Sequence, residues 1–427
     1  MLEMAEPVER IRRAEIIGGR PRAAACLNQA DGGSLFRLSQ AVLLCILCVA
    51  FAGCLPYFEP VSPVLLFGTY LLLAGCIAVC LCFHWPSSRN AASIAPYLGW
   101  LLCYFLWGML VSPNDYVVRE GAKVLLKNAL IAGAVALAID RRTVKGFAQL
   151  AQIAVLCNLA VCFAEVADPG LVEKIARAHE LDATAFNILR PAGLWSNPDE
   201  AAFALVFALL LSRWAAGLLG WLGRGGAVVG IFLGASRTGA YLLALCGAFY
   251  AWLWLRTRRR FAAWIAVALA AGAGVILAQS GLRENWQVRR FLDFAEETRD
   301  SGDVSRVEIA RDAIHKALNG PWYGNGLFAF QSNREFPAVL DVPAHNIYLA
   351  VWGETGVPLA VAYLLALGFG FSRVFRTPLR KRDAIAVGLM WLCYLVIGFT
   401  WHNQFTSFAG MLYIALLFRL PDALALG

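Results

Sequence analysis

The sequence predicts an all-α, polytopic membrane protein with about 12 transmembrane helices and a large, partly helical external loop. Three observations lead there. Of 427 residues, 59% are hydrophobic and only 15% charged, with a mean hydropathy of +0.61, far from the balance of a soluble globular domain. About twelve stretches approach the roughly 20 apolar residues that a helix needs to cross a hydrocarbon core. Basic residues also recur on alternate connections between those stretches.

In order, the stretches run at approximately 36 to 54, 63 to 84, 95 to 112, 121 to 139, 145 to 167, 200 to 217, 219 to 234, 239 to 255, 261 to 280, 345 to 374, 383 to 400 and 404 to 420. They are solidly apolar and lack the period-two alternation of barrel strands, so helices are expected. The implied organisation is a cytoplasmic N-terminal segment (1–34), helices one to nine (35–280), an external helical loop (281–342), helices ten to twelve (343–420) and a cytoplasmic tail (421–427). No cleavable signal peptide is expected, because the first thirty residues are charged and lack an early apolar core.

Net charge is +8, and its distribution sets the orientation. With the N-terminus inside, the cytoplasmic connections carry Arg10, Arg12, Arg13, Arg20 and Arg22, then Arg141, Arg142 and Lys145. They continue with Arg256, Arg258, Arg259 and Arg260, and with Arg373, Arg376, Arg380, Lys381 and Arg382. This is the positive-inside pattern. Orientation and contact with anionic headgroups account for the basic runs, so membrane lipids are expected partners and nucleic acid is not. Ten of the 12 cysteines lie inside apolar spans, where the thiol acts as a small hydrophobe, and the external loops hold none, so no disulfide framework is expected.

Three external segments fall on one side: 168 to 199 with "ILRPAGLWSNPDE", the tight "ASRTG" at 235 to 239, and 281 to 342. In the last, residues 284 to 298 form an amphipathic stripe through Trp286, Phe291, Leu292 and Ala295. A second loop helix is punctuated more clearly. Ser305 and Glu308 make a capping box, Ala310, Ala313, Ile314, Ala317 and Leu318 give its apolar face, and "NGP" at 319 to 321 stops it.

The candidates for chemistry lie in these segments. Of five histidines, His84 is cytoplasmic, His179 lies in a weakly patterned loop and His315 on the charged face of the second loop helix. His345 and His402 sit at the external boundary, each followed by asparagine. A lone interfacial histidine is ordinarily an amphipathic residue at a helix end, and His402 is read so. His345 has arginine company: Arg190, Arg237 and Arg306 share its side. Each arginine alone could simply snorkel to the interface. Converging on one face, they could instead hold a lipid-linked phosphate or diphosphate through planar, bidentate hydrogen bonds.

No Asp-x-Asp pair occurs in an external loop, so no metal site and no cofactor are expected. "GNG" at 324 to 326 reads as a turn after the Pro321 stop rather than a nucleotide loop. Glu354, just inside a span, is costly unless paired or protonated. Gly356 and Pro358 suggest a helix break beside it. Its expected role is structural, pairing with an external arginine or holding the histidine segment; a catalytic carboxylate is the alternative.

"SRTG", "SRVEIARDAIHKALNGPWYGNGLFAF" and "AHNIYLAVWGETGVPLA", in this order and on these sides, resemble the O-antigen ligase and polymerase superfamily. "GLWSNPDEAA" at 193 to 202 is similar to that family's Gly-x-x-x-Asn-Pro-Asn stretch, with Asp199 replacing the second Asn. The resemblance implies a GT-C-like, metal-independent, inverting glycosyltransferase in the bacterial inner membrane with its site facing the periplasm. Its donor would be a glycan on undecaprenyl diphosphate and its acceptor a sugar hydroxyl of lipid A core. It further implies His345 as the base, Arg237, Arg306 and Arg190 on the diphosphate, and Glu354, Asn346 and Asn197 in support. A polymerase, a protein O-oligosaccharyltransferase and, as a non-enzyme, a lipid-linked glycan transporter are the alternatives.

Overall fold

The computed structural model describes residues 22–51, 63–83, 88–112, 115–168, 191, 193–195, 198–234, 236–257, 306–330, 346–400 and 407–426, with the side chains at several helix ends outside the description. All secondary structure among the described residues is helical. The helices are α1 (Arg22–Phe51), α2 (Pro63–Phe83), α3 (Ser88–Val111), α4 (Asp115–Ala138), α5 (Thr143–Ala167) and α6 (Pro198–Leu211). There follow α7 (Gly217–Leu233), α8 (Arg237–Thr257), α9 (Arg306–Asn319), α10 (Ile347–Arg376), α11 (Lys381–Ile397) and α12 (Phe408–Ala423).

All but α9 overlie expected spans, and α9 is the second loop helix. The expected span 261–280 and the stripe at 284–298 lie outside the described residues. Four helices are long and apolar enough to cross a membrane by themselves, at Ala92–Val111, Val117–Ala138, Thr143–Ala167 and Ile347–Arg376. Shorter apolar helices account for α1, α2, α6, α7 and α8, so the full count of twelve crossings rests on the sequence. The expected span 200–217 is cut short at Leu211. Residues 212–216 turn instead, because Ser212 engages Arg224 Nε at 2.8 Å and Gly217 adopts φ +65°.

Helices that are apolar all round belong inside protein, and two here are. In α6, residues 201–208 are buried on every side; in α12, residues 409–420 are. They meet through Tyr413, whose ring lies 5.0 Å from Phe203 and 4.9 Å from Phe207. Around α12 pack α1, α3, α4, α10 and α11, and around α6 pack α5, α7, α8 and α11. Small residues bring α7 close: a Cβ at Gly223 would lie 2.0 Å from Gln152 Oε1 of α5, and one at Gly230 would lie 2.8 Å from Leu205 of α6. Gln152 Nε2 in turn donates to the Ala208 carbonyl at 3.0 Å.

The two ends of the bundle differ. At the end the sequence assigns to the cytoplasm, charged side chains lock the helices. Arg373 pairs with Asp422 and donates to the carbonyls of Ser93 (3.0 Å) and Phe418 (3.1 Å), while Arg419 Nε donates to Ile139 (2.8 Å) and Arg213 Nε to Asp383 (2.8 Å). The other end gathers the starts of α4, α6, α8, α10 and α12 with the C-terminal ends of α3, α5, α7 and α11, and it holds the candidates Arg237, Asn346 and Glu354.

Candidate functional site

The start of α10 is fixed by its cap. The Asn346 side chain accepts the N–H groups of Tyr348 (2.9 Å) and Leu349 (3.2 Å), satisfying donors the first helical turn leaves over. Ile347 N–H donates to the Gly398 carbonyl at 2.9 Å and the Tyr348 phenol to that of Leu395 at 2.6 Å, tying α10 to the end of α11. Asn346 thus caps α10 and fixes the direction of the chain immediately after residue 345. His345 itself, with Arg190 and Asn197, lies outside the described residues.

The start of α8 is built similarly. Ser236 is buried, its Oγ accepts Gly239 N–H at 3.1 Å, and a Cβ at Gly239 would stand 2.5 Å from that of Ala202. The serine of "SRTG" is therefore an N-cap, and it seats Arg237 as the first residue of a helix pressed against α6. Arg306 is likewise the first residue of α9. The side chains of both arginines lie outside the description.

A third anchoring involves residues that the sequence reading passed over. Glu165, 2% exposed near the end of α5, accepts Gly193 N–H at 2.8 Å, and Asn158 one face-repeat earlier accepts Leu194 N–H at 2.6 Å. Gly193 is needed there: at φ +64°, a Cβ would lie 2.0 Å from Asn158 Oδ1. These bonds hold the segment that directly follows Arg190. The available signal was an ionisable side chain and an amide seven residues apart in an otherwise apolar span.

Between α9 and α10 lies the most connected part of the site. Ala313 and Ala317 of α9 pack with Phe330 and Ala350. Residues 321–330 then cross α10 where its helix breaks at Gly356 (φ 80°, ψ 179°). Pro358 has no N–H to offer the Glu354 carbonyl, which instead accepts Gly326 N–H at 2.9 Å. Val357 N–H turns to Trp322 (3.3 Å), and the Gly353 carbonyl it leaves accepts both Asn325 N–H (2.9 Å) and Nδ2 (2.8 Å). "GNG" is a turn, as expected, and also a clasp on the break that "ETGVP" was expected to contain.

Glu354 is fully buried at this break, and the Tyr104 phenol of α3 donates to its Oε2. Tyr104 lies 5.3 Å from the Trp100 ring, whose indole N–H donates to the Leu359 carbonyl at 3.0 Å. The described partner of Glu354 is thus a phenol; the expected pairing with an external arginine involves side chains outside the described residues. In consequence Glu354 joins α3, the loop after α9 and α10, through its side chain and its carbonyl together.

Residues 225–364 match the family model described as O-antigen ligase. That segment, about a third of the chain, runs from α7 to α10 and contains Arg237, Arg306, His345, Asn346 and Glu354; Arg190 and Asn197 fall outside it. The resemblance drawn from the sequence motifs therefore stands over this segment. It supports a function of the O-antigen ligase or polymerase type, with a lipid-linked glycan as substrate class and a multi-pass membrane protein as its form. No curated protein matches the chain.

Proposed function

We propose that the protein ligates O-antigen glycan from undecaprenyl diphosphate onto a sugar hydroxyl of lipid A core, at the periplasmic face of the bacterial inner membrane, by metal-independent inverting transfer. One observation carries this reading. The segment matching the O-antigen ligase family begins α8 with Arg237 and α9 with Arg306 and carries His345 two residues before α10; the starts of α8 and α10 belong to one end of the bundle, and α9 packs on α10. Each start adds oriented backbone N–H groups and the positive end of a helix dipole, which favour an anion.

In the reaction the acceptor oxygen attacks the anomeric carbon opposite the leaving group. The bond to the diphosphate oxygen breaks as the new glycosidic bond forms, which inverts the centre. His345 takes the hydroxyl proton late in this step, its unperturbed pKa of roughly 6.5 suiting base work near neutrality. Arg237, Arg306 and Arg190 neutralise the charge growing on the departing diphosphate. Glu354, Asn346 and Asn197 support this set without touching the reacting atoms.

The test is His345→Ala in cells lacking any other ligase, with the lipopolysaccharide profile resolved on a gel. The expected result is loss of the capped ladder while the protein persists in the membrane. An undiminished ladder overturns the assignment, and a ladder collapsed to single repeats would identify a polymerase.

A further inference from the structure

The apolar stripe expected on α9 is divided. Ala313 and Ala317 face the protein, but Ile314 is 40% and Leu318 65% exposed. Four residues beyond Leu318, Trp322 is 69% exposed, with Tyr323 beside it. Ile314 and Leu318, four residues apart, line one flank of the helix, and Trp322 is exposed just beyond its end. The alanines let α9 approach α10 closely, yet Ile314 and Leu318 point away from the bundle.

We propose that this flank docks into the headgroup and upper acyl region of the phospholipid bilayer. Its neighbours on both sides are helices long and apolar enough to cross a membrane. Trp107 Nε1 of α3 donates to the Tyr323 carbonyl at 2.9 Å, and Val357 N–H of α10 donates to that of Trp322. α3 exposes Leu106 and Leu110 beside this point, and α10 exposes Val361 and Leu365. The flank is therefore continuous with side-chain surfaces that face lipid.

Its depth follows from the break in α10. Residues 357–376, after Gly356, make about 30 Å of helix at 1.5 Å per residue, the thickness of a hydrocarbon core. The break thus marks where α10 enters the hydrocarbon, and Trp322 and Tyr323 are bonded to the chain at that level, where such rings are enriched. Exposed Arg311 and His315 occupy the adjoining strip of α9, positioned to meet lipid phosphates. A helix so docked keeps its first residue, Arg306, at headgroup depth.

The test uses the full chain in vesicles of phosphatidylethanolamine and phosphatidylglycerol, with the photoreactive residue p-benzoylphenylalanine replacing Leu318 or Trp322. The same replacement at lipid-facing Leu365 and at Asp312, on the polar side of α9, supplies the two references. Irradiation followed by mass spectrometry should give phospholipid adducts at 318 and 322 at about fivefold or more above those at 312, as expected of an interfacial helix. Adducts no more abundant than at 312 overturn the proposal. So do adducts to a second protein, to a second copy or to another segment of this chain. If either substitution lowers the unfolding midpoint, the label at Ile314 carries the same comparison.

Discussion

Replacing Tyr104 by Phe removes one oxygen from the centre of the candidate site and leaves its packing in place. The phenyl ring keeps its contacts with Trp100 at 5.3 Å and Phe105 at 5.0 Å. What is lost is the hydrogen bond to Glu354 Oε2. Such a bond contributes about 0.5–1.5 kcal/mol to a neutral acceptor and about 1.5–3 kcal/mol to a charged one. Glu354 is fully buried, so water cannot replace the missing donor. Because Glu354 has further interactions, a loss of about 2 kcal/mol is expected, in the middle of that combined range. The assay is equilibrium unfolding of the purified protein in mixed micelles, run as a double-mutant cycle with Glu354→Gln. The pair should show a coupling of about 1 kcal/mol or more. A Tyr104→Phe protein within about 0.5 kcal/mol of wild type, with no coupling to Glu354, would refute the claim that this pair holds α3 to the break in α10.

Further outcomes follow from the same geometry. Gly356→Ala places a Cβ 2.1 Å from the Trp322 carbonyl at a φ of +80° and ψ of 179°, where the backbone alone costs about 1–3 kcal/mol. Hydrogen exchange should accelerate across 321–330 while α12 stays protected, and unchanged protection of that segment would count against the clasp. Asn346→Ala should cost about 1 kcal/mol of stability, as loss of an N-cap does. It should also lower kcat for glycan transfer more than it raises KM, because it misaims residue 345; equal activity at equal stability would make the cap purely structural. Arg237→Lys and Arg306→Lys keep the charge but lose the planar fork, so transfer should fall roughly tenfold or more in each. Full activity in the lysine variants would leave the arginines a charge role only.

The positions of the helices were legible because a hydrocarbon core imposes a length on apolar runs, and the capping box and "NGP" delimited α9 to within a residue. The break at Gly356 was legible as well, since proline and glycine act on the backbone locally. What remained hidden were partners set by tertiary approach. Tyr104 and Glu354 are 250 residues apart, and nothing in either span names the other. Glu165 and Asn158 passed as ordinary span residues until the 193–194 backbone was seen against them. The division of α9 was hidden for another reason: periodicity tells apolar from polar, but not which apolar residues meet protein and which meet lipid.

The contrast between the two ends of the bundle bears on function. At one end, described helices are joined by guanidinium groups, as in Arg373 with Asp422 and Arg213 with Asp383. At the other, the described joints use backbone N–H groups, serines, asparagines, phenols, indoles and two carboxylates, with glycines allowing close approach. Joints of this kind fix the backbone beside residues 190, 237 and 345 before substrate binds, the preorganisation that the proposed diphosphate site would need.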